Sequence, residues 1–152
     1  MTRTKPARPK LRTESFMVRL PPKLKYVVEL AARLQKTSQA RIIERAVENL
    51  IDDPNGPLIL QRRMEPEPHN VFDETWDLDY YQRFINLAGA FPGVLFPEEE
   101  AIWQQINSRP ADFFHQDGED EYGLPRYTYV DAAKVRAQWG ELEQRAQAVL
   151  PT

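Results

Sequence analysis

One acidic stretch near residue 120 has the residue types of a metal-binding loop. Its candidate ligands are His115, Asp117, Glu119, Asp120 and Glu121. Oxygen ligands at alternate positions can hold a calcium ion, but the EF-hand loop needs glycine at its sixth position. Counted from Asp117, the sixth residue is Tyr122, and Gly123 comes one place late. We therefore predict a solvated acidic loop and no metal site.

The sequence contains few of the residues and motifs that catalysis needs. It has two histidines, His69 and His115, and no cysteine, which excludes disulfides and thiolate metal sites. The motifs of serine hydrolases, P-loop proteins, zinc proteases and dinucleotide-binding enzymes are all missing. Carboxylate pairs are frequent, but no spacing singles out one pair as an acid and a base. We expect a protein that is not an enzyme and needs no cofactor.

The clearest pattern lies in residues 15–52 and begins with a short strand. In residues 15–20, alternate residues are apolar, which is the period of a strand with one buried face. The apolar set is Phe16, Val18 and Leu20, and the outward set is Ser15, Met17 and Arg19. Pro21 and Pro22 follow, and because they lack the N–H that a sheet needs, they end the strand and favour the first turn of a helix.

Two amphipathic helices are predicted after the strand. Apolar residues at three- and four-residue spacing predict the first helix over residues 22–35. They are Leu24, Val27, Val28, Ala31 and Leu34. Ser38 is a favourable N-cap for a second helix over residues 38–52, which ends before Pro54. The second apolar stripe consists of Ile42, Ile43, Ala46, Val47, Leu50 and Ile51.

The predicted strand has no partner within this segment. A single strand with one apolar face is unstable in water, and a second copy of the chain, related by a two-fold axis, would supply an antiparallel partner. We expect the apolar residues of strand and helices to form the core of a homodimer: Phe16, Val18, Leu20, Leu24, Val28, Ile42, Ala46 and Leu50. The outer face of such a two-stranded ribbon fits the major groove of DNA.

This order of elements resembles the ribbon-helix-helix DNA-binding proteins of the Arc, MetJ and CopG type. The resemblance covers the strand, the proline at its end, both helices and the serine cap between them, about 38 of the 152 residues. It implies that the outward residues Ser15, Met17 and Arg19 read base edges. Met17 cannot hydrogen-bond a base and would pack on a thymine methyl group, or Arg19 would provide most of the direct readout.

The same resemblance implies a phosphate site where the second helix begins. Proteins of this family bind a DNA phosphate at that position, which corresponds to Thr37, Ser38 and Gln39. The family usually has glycine in the preceding turn, where this chain has Lys36. We therefore expect Lys36 in a left-handed backbone conformation, from which its ammonium group could also reach a phosphate.

Charge is divided unevenly along the chain. Residues 1–63 contain fourteen basic and six acidic residues, a net of +8, while the remainder has six basic and seventeen acidic residues, a net of −11. A basic half that doubles in a dimer favours DNA, because affinity rises with the number of phosphates neutralised. Residues 1–13 are predicted to be a disordered basic arm that lies along DNA, with a solvated tail as the alternative. Its basic residues are Arg3, Lys5, Arg8, Lys10 and Arg12.

The remaining chain is predicted to be a linker and a second domain. Residues 54–70 contain four prolines and suggest an extended linker. Residues 71–150 are acidic and aromatic-rich, which indicates a small, mostly helical domain that binds a partner or oligomerises. Its helices are predicted over residues 78–89, 97–107 and 131–149, with a short strand over 127–130. The fold class is then mainly α with one short β-strand, a ribbon-helix-helix domain followed by a helical one.

Three functions remain open at this stage. The leading interpretation is a sequence-specific homodimeric transcriptional repressor whose partner is double-stranded DNA. An antitoxin that represses its own operon is the second, although the toxin-binding tails of such proteins are commonly short and unfolded, whereas residues 71–150 could form their own core. A plasmid transfer or partition accessory protein is the third. No apolar run is long enough for a membrane span or a signal peptide, so we expect a cytoplasmic protein.

Overall fold

The computed structural model describes residues 14–62, 65–115 and 124–151. This part of the chain is mainly helical, with one two-stranded antiparallel sheet. The chain divides into two compact units, Met1–Val47 and Glu48–Thr152. The predicted basic arm lies outside the described residues, and so does the predicted acidic loop after His115.

The first unit contains the first predicted amphipathic helix and most of the second, whose residues 48–52 are counted with the second unit. Helix α1 spans Pro22–Leu34 and helix α2 spans Gln39–Asp52, so both predictions are confirmed to within one residue at each end. Pro22 occupies the first turn of α1, and the Lys25 N–H donates to the Pro21 carbonyl at 3.0 Å. Residues 14–21 form no strand in the single chain. A strand needs a neighbour to hydrogen-bond, so the strand predicted for residues 15–20 stays a prediction that only a second chain could fulfil.

The turn between α1 and α2 places Lys36 in the left-handed region, with φ 50°. The Thr37 N–H donates to the Ala32 carbonyl at 3.0 Å, and the Lys36 N–H donates to the Arg33 carbonyl at 3.3 Å. This is the Schellman arrangement, in which backward hydrogen bonds satisfy the last carbonyls of a helix. The left-handed conformation expected for Lys36 is confirmed.

The first unit leaves most of its apolar side chains in contact with solvent. Ala32 is its one buried residue in the described part, and α2 buries none. The large exposed apolar residues are Phe16, Met17, Val18, Leu20, Leu24, Tyr26, Val27, Leu30, Leu34, Ile43 and Val47. The apolar stripes of both helices remain exposed to solvent. The helices therefore lack most of the hydrophobic stabilisation that normally holds amphipathic helices together.

The second unit has its own hydrophobic core. Its helices are α3 Val71–Thr75, α4 Tyr80–Ala90, α5 Pro97–Ser108, α6 Pro110–Phe113, α7 Ala132–Ala137 and α8 Trp139–Val149. The core residues include Phe84, Ile85, Ala88, Ile102, Ile106, Phe113, Val130, Val135, Leu142 and Ala146. Asn70, Asp79 and Asp131 cap α3, α4 and α7, each accepting from two N–H groups of the following turn.

A small hairpin occupies the segment predicted as a linker. Strand β1, Ile59–Gln61, pairs antiparallel with β2, Pro68–Asn70, in a register that places Leu60 opposite His69. Arg62 follows β1, donates to Glu74 at 3.1 Å and lies over the Phe91 ring, with its guanidinium carbon 4.4 Å from the ring centre. The hairpin is therefore attached to the second unit, and the extended linker expected over residues 54–70 is not observed there.

Two further predictions in the second unit are wrong. Residues 127–130 do not form a strand: Arg126–Tyr129 is a 3₁₀ helix, and only Val130 forms a single bridge, to Phe114. The helix predicted over residues 131–149 is broken into α7 and α8 at Gln138, whose N–H donates to the Val135 carbonyl at 3.2 Å. The helices predicted over residues 78–89 and 97–107 are confirmed as α4 and α5.

Candidate nucleic-acid interface

The residues predicted to read bases lie in one exposed segment before α1. Ser15, Met17 and Arg19 stand at alternate positions and are all exposed, Met17 to 89%. Within the described residues, no hydrogen bond or ion pair holds the Arg19 guanidinium. Its donors are therefore available for a ligand, and a guanidinium can donate two parallel hydrogen bonds to a guanine edge.

The residues predicted to form a dimer core are not buried in the single chain. Phe16 is 90% exposed, Val18 and Leu20 are also exposed, and Val28 and Ile42 are half-buried. The other predicted core residues, Leu24, Ala46 and Leu50, are exposed. The structure thus leaves the whole predicted set accessible to a second surface.

The four residues predicted to bind phosphate lie together in one cleft. The cleft has a volume of about 590 Å³ and lies where α1 ends and α2 begins. It is lined by Glu29, Ala32, Arg33, Lys36, Thr37, Ser38 and Gln39. Sequence reasoning missed Arg33, which lies in the last turn of α1 and lines the cleft together with Lys36 from the following turn.

Local hydrogen bonding prepares this cleft for an anion. The Ser38 hydroxyl accepts from the Arg41 N–H at 3.1 Å, so Ser38 is the N-cap of α2, as predicted. The first N–H groups of a helix have no partner within it, and Gln39, the first residue of α2, lines the cleft. These donors and the positive end of the helix dipole favour a phosphate oxygen.

The charges of the cleft are mixed but mainly positive. Arg33 and Lys36 contribute two cations against the carboxylate of Glu29, which also lies 4.0 Å from the Lys25 ammonium group. The unit as a whole, Met1–Val47, has twelve basic and three acidic residues, a net of +9. A phosphate in the cleft would therefore meet a positive field in addition to the local donors.

The loop first considered for metal binding contributes little to the described structure. His115 is its one described residue, and its Nδ1 lies 3.5 Å from an Asp131 carboxylate oxygen. Asp117, Glu119, Asp120 and Glu121 lie outside the described residues. In the described ranges, no group of three or more histidine or acidic side chains is arranged to hold a metal ion.

Comparison with protein-family models, with curated proteins and with solved structures found no match. The likeness to ribbon-helix-helix proteins therefore rests on the order and spacing of residues 15–52. Among the described residues, none of the helices has the length and hydrophobicity to cross a membrane.

Proposed function

We propose that the protein is a homodimeric, sequence-specific DNA-binding protein that represses transcription. The observation that supports this most is the incomplete first unit, in which α1 and α2 bury little beyond Ala32. A second copy presents the same apolar stripes, so an isologous pairing covers both at once. Residues 15–20 of the two copies then pair antiparallel and complete the strand that one chain cannot form.

In this dimer, the outward side chains of the ribbon enter the major groove. Arg19 hydrogen-bonds a base edge, and Ser15 and Met17 contact neighbouring bases. The cleft at the start of α2 binds backbone phosphate through its free N–H groups, with Lys36 and Arg33 adding charge. The ribbon and the cleft have different roles, since base contacts discriminate between sequences and phosphate contacts only position the protein.

The second unit bears on the choice between repressor and antitoxin. Its core includes the fully buried Ile85, Phe113 and Leu142, which pack together in one chain. A toxin-binding tail that folds only on its partner would not have such a core before binding. This favours a repressor with a stable second domain over an antitoxin with a short unfolded tail.

A comparison of two variants tests the proposal. Binding sites are first selected from random DNA with the full-length protein, and affinities for selected and random DNA are then measured by fluorescence anisotropy. Arg19→Ala should lose roughly 1–3 kcal/mol of discrimination at one base position. Lys36→Ala should weaken binding to both DNAs by the same factor and should lower the salt dependence.

Three outcomes would contradict the proposal. One is a monomer by sedimentation at micromolar concentration, because the ribbon needs two chains. The second is an Arg19→Ala variant that loses equal affinity for selected and random DNA, which would remove Arg19 from base reading. Failure of the wild-type protein to enrich any sequence would exclude sequence-specific binding.

A further inference from the structure

Residues 76–80, which lead from α3 into the first residue of α4, expose their apolar side chains and partly bury their charged ones. Trp76 is 51% exposed, Leu78 75% and Tyr80 51%, whereas Asp77 and Asp79 between them are half-buried. A solvated loop normally has the opposite arrangement, because exposing apolar surface costs free energy and carboxylates prefer water. The alternation therefore needs a reason other than the folding of this segment.

Hydrogen bonds explain how the two carboxylates are held inward. Asp77 accepts from the Asp79 N–H at 2.8 Å, and Asp79 accepts from the Tyr81 N–H at 2.8 Å and the Gln82 N–H at 3.2 Å. Asp79 also forms an ion pair with Arg136. These contacts fix the backbone of residues 77–79, so the apolar side chains point outward from a rigid segment and lose little freedom on binding.

The outward side chains form one surface, which we call the aromatic patch: Trp76, Leu78, Tyr80 and Arg83. The Arg83 guanidinium carbon lies 5.0 Å from the centre of the Trp76 ring and 5.9 Å from that of Tyr80. Phe72 also stacks on Trp76, with the two ring centres 5.6 Å apart. Tryptophan, tyrosine and arginine are the residues most enriched where binding energy concentrates in protein interfaces.

The net charge of the second unit indicates which class of partner can bind the aromatic patch. Glu48–Thr152 contains eight basic and twenty acidic residues, a net of −12, so nucleic acid and a second copy of the same unit are both repelled. Acidic groups also flank the patch, because Asp73 lies one helical turn before Trp76. The pKa of Tyr80 is raised, first by partial burial and then by the negative charges of Glu99 and Glu143.

We propose that the aromatic patch binds a positively charged segment of a partner protein. Apolar side chains of that segment would cover Trp76 and Leu78, and its lysines or arginines would pair with Asp73, Glu99 and Glu143. Complementary charge would speed association and exclude acidic competitors, while the rigid apolar residues would supply most of the affinity. This inference is independent of the proposed DNA-binding function, because it concerns a different surface.

Selection from a random peptide library displayed on phage tests this proposal with the full-length protein. We expect the enriched peptides to combine a net positive charge with two or more large apolar residues. Binding of the synthesised peptides should weaken at least tenfold in Leu78→Ser and in Trp76→Ala. Val149→Ser is the matched control, because Val149 is 72% exposed on α8 outside the patch, and it should leave binding unchanged.

The Leu78→Ser variant also distinguishes loss of binding from loss of folding. Leu78 is more exposed than Trp76 and Tyr80, so the melting temperature of this variant should match that of the wild type. Enrichment of neutral or acidic peptides would overturn the proposal. So would no enrichment, or peptides that bind Leu78→Ser and Trp76→Ala as tightly as the wild type. If Leu78→Ser instead lowered the mass measured by sedimentation, the occupant would be a second copy and the proposed partner would be wrong.

Discussion

At the scale of single residues, Lys36 combines a strained backbone conformation with a position in the proposed phosphate cleft. Its φ of 50° is a conformation that glycine adopts freely and that most side chains avoid. The same residue lines the cleft at the start of α2, beside Arg33. Strain of this kind persists where the surroundings enforce it, and it is common at binding sites. A lysine in a glycine position is therefore consistent with a gain in phosphate binding that offsets its conformational cost.

The cost and the gain at Lys36 can be measured separately. Lys36→Gly should stabilise the protein by about 1 kcal/mol, because it relieves the left-handed strain, and should weaken binding to all DNA sequences equally. Lys36→Ala should weaken binding similarly but bring no such stabilisation, since alanine retains the Cβ. Thermal melts and anisotropy on both variants would check this. Equal stability of the two variants would mean that the backbone strain is negligible.

The carboxyl group of Glu65 should titrate below its usual range. A hydrogen bond from Arg62 is the main cause of its lowered pKa, with smaller contributions from the Arg62 and His69 charges, against some desolvation. Because the folded-state pKa is lower than the unfolded one, the stability it contributes is present above the unfolded pKa and is lost as pH falls through the folded pKa. NMR titration of the Glu65 side chain should show this low midpoint.

Two arginine variants test whether the lowered pKa of Glu65 is due to Arg62 or to a general effect of positive charge. Arg62→Gln should move the Glu65 midpoint upward, because the hydrogen bond and the charge are both removed. Arg145→Gln removes a cation whose partner is Glu141, so it should leave Glu65 unchanged. An unchanged midpoint in Arg62→Gln would show that the contact with Glu65 is not made in solution.

At the scale of elements, the sequence predicted helices with long apolar stripes and missed elements that depend on local contacts. Helices α1, α2, α4 and α5 were found because each repeats its apolar residues over several turns. The three-residue strands β1 and β2 are too short to show a period of two. Their positions depend on contacts such as those of Arg62 with Glu74 and Phe91, which spacing does not reveal.

Two other errors have a common cause, the competition of local backbone hydrogen bonds with a longer element. The Thr128 N–H donates to the Pro125 carbonyl at 3.0 Å, which closes a 3₁₀ turn where a strand was predicted. At Gln138, an N–H bond to Val135 tightens the end of α7, and the Gln138 carbonyl accepts from Leu142 to start α8. The stripe continues across this break, so periodicity alone predicted one helix. For the candidate site, the sequence pattern predicts Lys36, Thr37, Ser38 and Gln39 but not Arg33, whose place in the cleft depends on how the turn after α1 folds.

Two glycines in helices should respond oppositely to alanine. A Cβ on Gly140 in α8 would meet nothing within 4 Å, so Gly140→Ala should stabilise the protein by about 0.5–1 kcal/mol through helix propensity. A Cβ on Gly89 in α4 would overlap the Tyr127 Cγ, the ring carbon bonded to the Tyr127 Cβ. Rotation of the Tyr127 side chain moves this atom little, because it lies next to the backbone. Gly89→Ala should therefore destabilise the protein by roughly 1–3 kcal/mol.

Chemical denaturation measures the free energy of unfolding of both variants and of the wild type. A stabilised Gly89→Ala variant would show that Tyr127 does not pack on α4 as described. A destabilised Gly140→Ala variant would mean that α8 does not continue through that residue. Because each glycine is the control for the other, a general effect of added methyl groups is excluded.

At the scale of the whole molecule, the two units differ in how their cores are completed. Glu48–Thr152 buries Phe113, Ile85 and Leu142 within one chain. In the described part of Met1–Val47, the helices exclude little beyond Ala32 from water. In the proposed dimer, association supplies the stability that one chain lacks, and association depends on concentration whereas an internal core does not.

This difference predicts two kinds of thermal unfolding. A fragment of residues 1–53 should melt at a temperature that rises with protein concentration, because each tenfold increase adds about 1.4 kcal/mol to the stability of a dimer relative to free chains. In a domain this small, that corresponds to several degrees. A fragment of residues 54–152 should melt at one temperature over the same range, which makes it the internal control.

Circular dichroism melts from about 1 to 100 μM protein, with sedimentation at the same concentrations, would measure both fragments. Phe16→Ser in the first fragment should lower the dimer population, because Phe16 is 90% exposed in the single chain and has little to lose except contacts with a second one. Suppose instead that residues 1–53 melt cooperatively at a temperature independent of concentration. The two helices would then be stable without a partner, the ribbon would have no reason to form, and DNA recognition by Arg19 would need a different explanation.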